Sequence, residues 1–202
     1  MAPLMFNHNR GLWGYSGAYT GDGEPLTVQA TGLGGPSAAI VLEELAALGL
    51  ERAIRVGTAT ALDATLALGD LLVVERALCG DGTSAALGAL GEVEADPALL
   101  AALRRDGGSG VGTRALASGS VVSSDLFYES SAERIEGWRE RGARALELST
   151  AALFALGARR GVAIGAIVAI SARREGGERI EAPALLEAAL AAGRLAAVAL
   201  SP

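Results

Sequence analysis

Short runs of apolar, β-branched residues alternate in this chain with longer alanine- and leucine-rich segments, and that alternation limits the fold more than any other feature. Leu26–Thr31, Ala53–Val56, Leu71–Ala77, Ala115–Val122, Ala145–Leu148 and Val162–Ser171 read as strands. Between them, Ser37–Leu48, Pro97–Arg105, Glu133–Arg141, Thr150–Arg160 and Pro183–Leu200 read as helices. Pro36 opens the first helix and Gly49 stops it, while Gly161 stops the fourth. Strands that are apolar on both faces and separated by helices build a mostly parallel sheet covered on both sides. No linker and no internal repeat interrupts the pattern. The glycine-rich stretch Gly107–Gly112 lies between two elements of the same kind, so the expectation is a single domain over residues 1–202.

Composition narrows the classes. Half of the 202 residues are hydrophobic and the net charge is −6, which is the opposite of a disordered chain. All 17 basic residues are arginine, a bias of the kind a GC-rich genome produces. The acidic balance provides no basic surface for duplex nucleic acid. The most apolar stretch, Val162–Ile170, is nine residues long, against roughly 20 for a membrane-spanning helix. Met1–Asn9 has neither a basic n-region nor an apolar h-region, and the single cysteine, Cys79, suits a reducing compartment. The expected location is the cytoplasm, with no membrane and no nucleic acid as partner.

Four segments carry residues suited to chemistry. Gly32-Leu33-Gly34-Gly35-Pro36-Ser37 follows a strand and opens a helix, where backbone amides can hold an anion or simply make a tight turn. A dinucleotide fingerprint would place glycine at Ser37 and an acid after the next strand, where Gly57 and Thr58 stand. Arg55 lies near the C-terminal end of a buried strand, which is costly unless the guanidinium meets an anion or an acid. The two readings are a bound phosphate and an internal ion pair with Glu43, Glu44 or Asp70. Phe127 and Tyr128 form an adjacent aromatic pair in a chain with only 4% aromatics, so they either stack on a planar ligand or, for Phe127, fill core. Glu147 precedes a helix N-cap at Ser149 or Thr150, where the helix dipole favours a carboxylate. His8 is the only histidine, and no cluster has metal-ligand spacing.

Taken in order, these segments resemble the purine nucleoside phosphorylase and uridine phosphorylase superfamily. The resemblance rests on Thr31–Ser37, Glu43-Glu44-Leu45, Ile54–Thr58, Gly69-Asp70, Asp81–Ser84, Ser123–Tyr128 and the strand–helix start at Glu147, and runs from about Asn9 to Ser171. It implies a phosphorylase-like three-layer αβα sandwich around a central mixed, mostly parallel twisted sheet. It also implies a pentosyltransferase that cleaves a nucleoside's N-glycosidic bond, with inorganic phosphate as co-substrate, no other cofactor and no metal.

The same resemblance puts Arg55, Thr58 and Gly34 on phosphate, joined by Arg10 from a neighbouring subunit of a homodimer or a hexamer of dimers. It puts Thr60, Phe127, Tyr128, Glu147, Leu148 and Ser149 on the nucleoside. Arg134 falls near the position of a base-reading arginine in the uridine branch.

Four departures accompany it. The sequence begins after the strand and Gly-Asp-Pro-x-Arg loop with which family members grip phosphate. Ser149 stands where they carry a ribose-binding glutamate, and Ala172 where the purine branch carries the aspartate that protonates the base. Thr60 replaces a glycine beside the base. The alternative implied by these departures is a catalytically impaired homologue that binds nucleoside or base, or serves in oligomerisation.

Overall fold

The computed structural model describes residues 2–18, 25–110 and 115–201; the His8 side chain and Gly112 lie outside them. The chain opens with an antiparallel three-stranded sheet of β1 (Ala2–Asn9), β2 (Leu12–Ala18) and β3 (Pro25–Gln29). A two-residue turn joins the first two strands, with Arg10 at φ 53° and Gly11 at φ 74°. That pairing of positive φ values matches the twist of a hairpin.

The larger sheet follows. Helix α1 (Gly34–Ala47) leads into β4 (Arg52–Ala61), β5 (Leu71–Gly80), the short helix α2 (Gly82–Ala86) and β6 (Glu92–Glu94). Then come α3 (Pro97–Gly110), β7 (Leu116–Ser124), α4 (Ala132–Glu140), β8 (Ala143–Glu147), α5 (Thr150–Arg160), β9 (Ala163–Arg173) and α6 (Ala182–Leu200). The strand order is β6-β5-β7-β8-β4-β9. Parallel pairings carry the long ladders, with ten residue pairs in β4–β9, nine in β5–β7 and four in β7–β8. Antiparallel contacts are short: two pairs in β4–β8, three in β5–β6 and three in β5–β9. The expected mixed, mostly parallel sheet flanked by helices is therefore present. The β5–β9 pairing adds something the sequence did not show, because it closes five of the strands into a ring.

Period-2 alternation explains why these strands are apolar on both faces. Leu72, Val74 and Val168 pack with Ala38 and Leu42 of α1 and with Phe154 and Leu156 of α5. Their sequence neighbours Leu71, Val73 and Ile167 pack with Leu103 of α3 and with Ala188, Ala192 and Leu195 of α6. A smaller cluster, containing Val122 and Leu146, lies under Ile135 and Trp138 of α4. Helix α6 is long and apolar enough by composition to cross a membrane, at 19 residues and mean hydropathy 1.5. In the fold its alanine-rich face covers β4 and β9 instead.

Candidate functional site

Glu147 ends β8 and Ser149 is the N-cap of α5, so the start of that helix faces β4 across the β4–β8 seam. The Arg55 side chain leaves β4 on the same face as Gly57 and lies directly over it. A Cβ at Gly57 would fall 2.2 Å from Arg55 Nη1 and 2.7 Å from Cζ, so only glycine leaves room for this guanidinium. Arg55 Nε donates to Ser149 Oγ at 3.0 Å, and Nη2 meets Glu147 Oε2 at 2.9 Å. One edge of the guanidinium is thus fully engaged.

The acid that meets Arg55 is none of the three expected from the sequence. Glu43 pairs with Arg160, Glu44 with Arg10, and Asp70 accepts from the Ala67 amide. Glu147 is the partner. Its side chain has no exposed surface, against 14% for Arg55. Its Oε1 accepts from the Ser123 hydroxyl and, at 2.9 Å, from the Thr150 amide, while Oε2 accepts from the Ser149 amide at 2.9 Å. The Ala151 amide donates to Ser123 Oγ at 2.8 Å. The first amides of α5, which have no partners inside a helix, are therefore satisfied by a buried carboxylate and a buried hydroxyl. Both Glu147 oxygens are taken by protein donors, so in this arrangement the carboxylate offers nothing to a nucleoside. Two polar atoms here are buried without a hydrogen-bond partner: Arg55 Nη1 and Thr150 Oγ1. Buried polar atoms without a partner are rare in folded proteins.

The other sequence candidates are distributed around this pair. Thr58 is exposed, and strand alternation sends it to the opposite face of β4 from Arg55. Thr60 pairs in register with Leu146 on one side and Ala172 on the other, which brings two of the sequence's departures side by side. Leu148 is half-buried and Ser149 is buried. Gly34 lines an open depression with Leu33, Gly82, Thr83 and Asp125, and neither Arg55 nor Glu147 belongs to its walls. Arg10, at the hairpin tip, pairs with Glu44 of its own chain.

Phe127 and Tyr128 are 57% and 81% exposed and meet edge to face, with ring centroids 4.8 Å apart. Of the two alternatives for Phe127, this exposure removes the core one. Arg134 is occupied by Glu129, at 2.6 Å, and sits 6.0 Å over the Trp138 ring. Burial pushes the Glu129 carboxyl up, but the Ser131 amide and Arg134 more than offset it and hold it below the usual carboxylate range. No group of three or more metal-ligating side chains occurs among the described residues. The residue that sequence reasoning missed is Ser123. Its segment stood out for its aromatics, and nothing local marks the serine as the link between Glu147 and α5.

Comparison with known proteins follows the same lines. A family model described as the phosphorylase superfamily matches residues 5–201. The guanosine phosphorylase of Halorubrum lacusprofundi is 37% identical over 149 residues, 74% of this chain and 61% of that relative. The chain thus spans about three fifths of that relative's length. A DeoD-type purine nucleoside phosphorylase of Clostridium novyi is 32% identical over 171 residues, 83% of this chain and 72% of the relative. The uridine phosphorylase of Vibrio fischeri, solved with 6-hydroxy-1-naphthoic acid, superposes with a TM-score of 0.85 at 27% identity, covering 97% of this chain and 82% of that one. With a family match over nearly its whole length and relatives among both purine and uridine phosphorylases, this chain belongs to the phosphorylase superfamily.

Proposed function

We propose that this chain binds inorganic phosphate at Arg55 and uses it to cleave the N-glycosidic bond of a nucleoside. The observation that carries the reading is the state of the Arg55 guanidinium. One edge is held by Ser149 and Glu147, while part of the side chain, 14%, stays exposed. Phosphate suits the open side of such a group, since a guanidinium matches phosphate through paired donors.

In the reaction a phosphate oxygen forms a bond to the anomeric carbon as the C–N bond breaks. The electron pair leaves with the base, which then takes up a proton. Holding phosphate against the sugar supplies proximity, and its charge stabilises the oxocarbenium-like transition state. Phe127 and Tyr128 supply the exposed aromatic surface for the base. The names of the relatives support purine and uracil nucleosides as the first substrates to try. Arg10 is proposed to serve a neighbouring subunit in a homodimer or larger assembly.

The test is phosphate-dependent base release from guanosine, inosine, adenosine and uridine, with Arg55→Ala as control. We expect the variant to lose about 10²–10³-fold in turnover, as when a donor to transition-state charge is removed. Wild-type release no faster than the control removes the reading. A second reading, binding without turnover, is favoured by Ala172 standing in register with Thr60, because alanine has no proton for a departing base. Phosphate binding by calorimetry without base release would establish it.

A further inference from the structure

Ser149 sits at a helix N-cap but does not act as one. Serine at that position normally accepts a hydrogen bond from an amide of the first turn. Here the Ser149 side chain makes no capping bond, and its backbone angles, φ −153° and ψ −8°, are not the extended ones of an ordinary N-cap. Glu147 and Ser123 perform the capping in its place. The hydroxyl is turned to Arg55 Nε instead.

We propose that Ser149 is a positioning residue for Arg55, setting the rotation of the guanidinium so that the part of the side chain left open, 14%, is turned to an anion. The inference rests on the reading of Arg55 as the phosphate ligand. Three observations support it. The two acceptors that hold Arg55 are themselves joined, because the Ser149 amide donates to Glu147 Oε2 at 2.9 Å. They therefore form one rigid cradle at the start of α5 rather than two independent contacts. Nε and Nη2 lie on one edge of the guanidinium, and that edge spans the cradle at 3.0 Å and 2.9 Å. Engaging both fixes the plane as well as the place of the group. Finally, the absence of a Cβ at Gly57 leaves the flat group free to lie in that plane. With Glu147 alone the arginine would keep one charged contact and could pivot about it. The serine removes the pivot.

This role differs from a structural one in what it predicts. A capping serine, once removed, destabilises its helix. A positioning serine, once removed, frees Arg55 Nε and weakens anion binding, with little effect on the melting temperature. The experiment compares wild type, Ser149→Ala and Ser149→Thr, uniformly labelled with ¹⁵N-arginine. The Arg55 Nε–H resonance is identified by its loss in Arg55→Lys. Its exchange with water is measured without ligand, and inorganic phosphate affinity is measured by calorimetry.

We expect Ser149→Ala to speed Nε–H exchange and to weaken phosphate binding about tenfold, the scale of one hydrogen bond to a charged group. Ser149→Thr, which keeps the hydroxyl, should restore both. Unchanged Nε–H exchange in Ser149→Ala overturns the proposal. So does faster exchange with unaltered phosphate affinity, which would make the contact purely structural. If wild type binds no phosphate, the phosphate reading of Arg55 falls and takes the anion part of this proposal with it. The exchange data still decide whether Ser149 holds Arg55.

Discussion

At the residue scale, the arrangement around Arg55 depends on what Gly57 lacks. A methyl group there would stand 2.2 Å from Nη1, 2.7 Å from Cζ and 2.8 Å from Nη2, so the whole guanidinium would have to leave its place. The displaced atoms are the far end of a flexible side chain, so the backbone of β4 need not move. Gly57→Ala should therefore keep the strand but lose about 3–5 kcal/mol, because Glu147 is left buried without its charged partner. Phosphate affinity, measured by calorimetry, should fall by about tenfold or more, because a misdirected guanidinium loses paired recognition. Normal phosphate affinity in Gly57→Ala would show that the observed position of Arg55 is not the one that matters. Arg55 was legible in the sequence as a residue needing an anion or an acid, and Glu147 as a carboxylate favoured at the start of a helix. That they answer each other was not. They are distant in the chain, and the contact exists because Thr60 pairs with Leu146 across the β4–β8 seam. Periodicity within one segment carries no information about that register. The choice between ligand surface and core for Phe127 stayed open for a related reason: exposure depends on where the loop after β7 goes.

At the scale of elements, α5 and the β4–β8 seam hold the site in place. Helix α5 approaches β9 at Gly157, where a Cβ would fall 2.4 Å from Ile164 Cγ1 and 2.8 Å from the Val162 carbonyl oxygen. Alanine is the better helix former by about 1 kcal/mol. Overpacking against a strand and a fixed carbonyl costs about 1–3 kcal/mol, and it wins here because the backbone oxygen cannot rotate away. Gly157→Ala should lower the melting temperature and shift the first turn of α5, reducing phosphate affinity as well; a higher melting temperature would show that the helix can slide freely.

The seam itself has only two residue pairs and is reinforced by Arg144, which donates to Asp63 Oδ2 at 2.8 Å and to the Ser118 carbonyl at 2.9 Å. Burial pushes the Asp63 carboxyl up, but bonds from the Thr65 amide and hydroxyl and from Arg144 outweigh it and hold it below its ordinary value. A depressed folded-state value means that the unfolded chain takes up a proton first. The stabilisation is complete above the ordinary carboxylate range and is lost as pH falls through the lower, folded value. Wild type should melt above Asp63→Asn at neutral pH, and the gap should close on acidification. A gap independent of pH would remove this account of the seam. The sequence placed α5 and β9 well because long apolar periods and glycine stops are local signals. It missed the β1–β2 hairpin, since Arg10-Gly11 is not a common turn pair, and it missed the short α2 and β6, which have too few residues to show a period.

At the scale of the molecule, closure of the strands governs how the parts depend on one another. β9 lies between β4 and β5, and its alternate residues enter opposite layers, with Val168 on the α1–α5 side and Ile167 on the α3–α6 side. Neither layer can lose β9 and keep its core. No single segment encodes this, because the ring closes through three residue pairs whose register depends on every strand between them. The consequence is that residues 25–201 should unfold as one unit, although their helices divide between two sides. Ile167 has no exposed surface, so Ile167→Ala should cost about 2–5 kcal/mol. For a chain of this length that lowers the melting temperature by about 5–15 °C. Trp138, on α4, belongs to a third cluster separate from that of Ile167, which makes it an independent probe. In a Trp13→Phe background Trp138 is the only tryptophan left, since the chain has two. Its fluorescence and the far-ultraviolet dichroism should then melt together, and Ile167→Ala should move both midpoints by the same amount. If dichroism shifted while Trp138 stayed, the α3–α6 side would be unfolding alone. The β5–β9 pairing would not couple the layers, and the Arg55 site, mounted on β4 and α5, would be insulated from half of the fold.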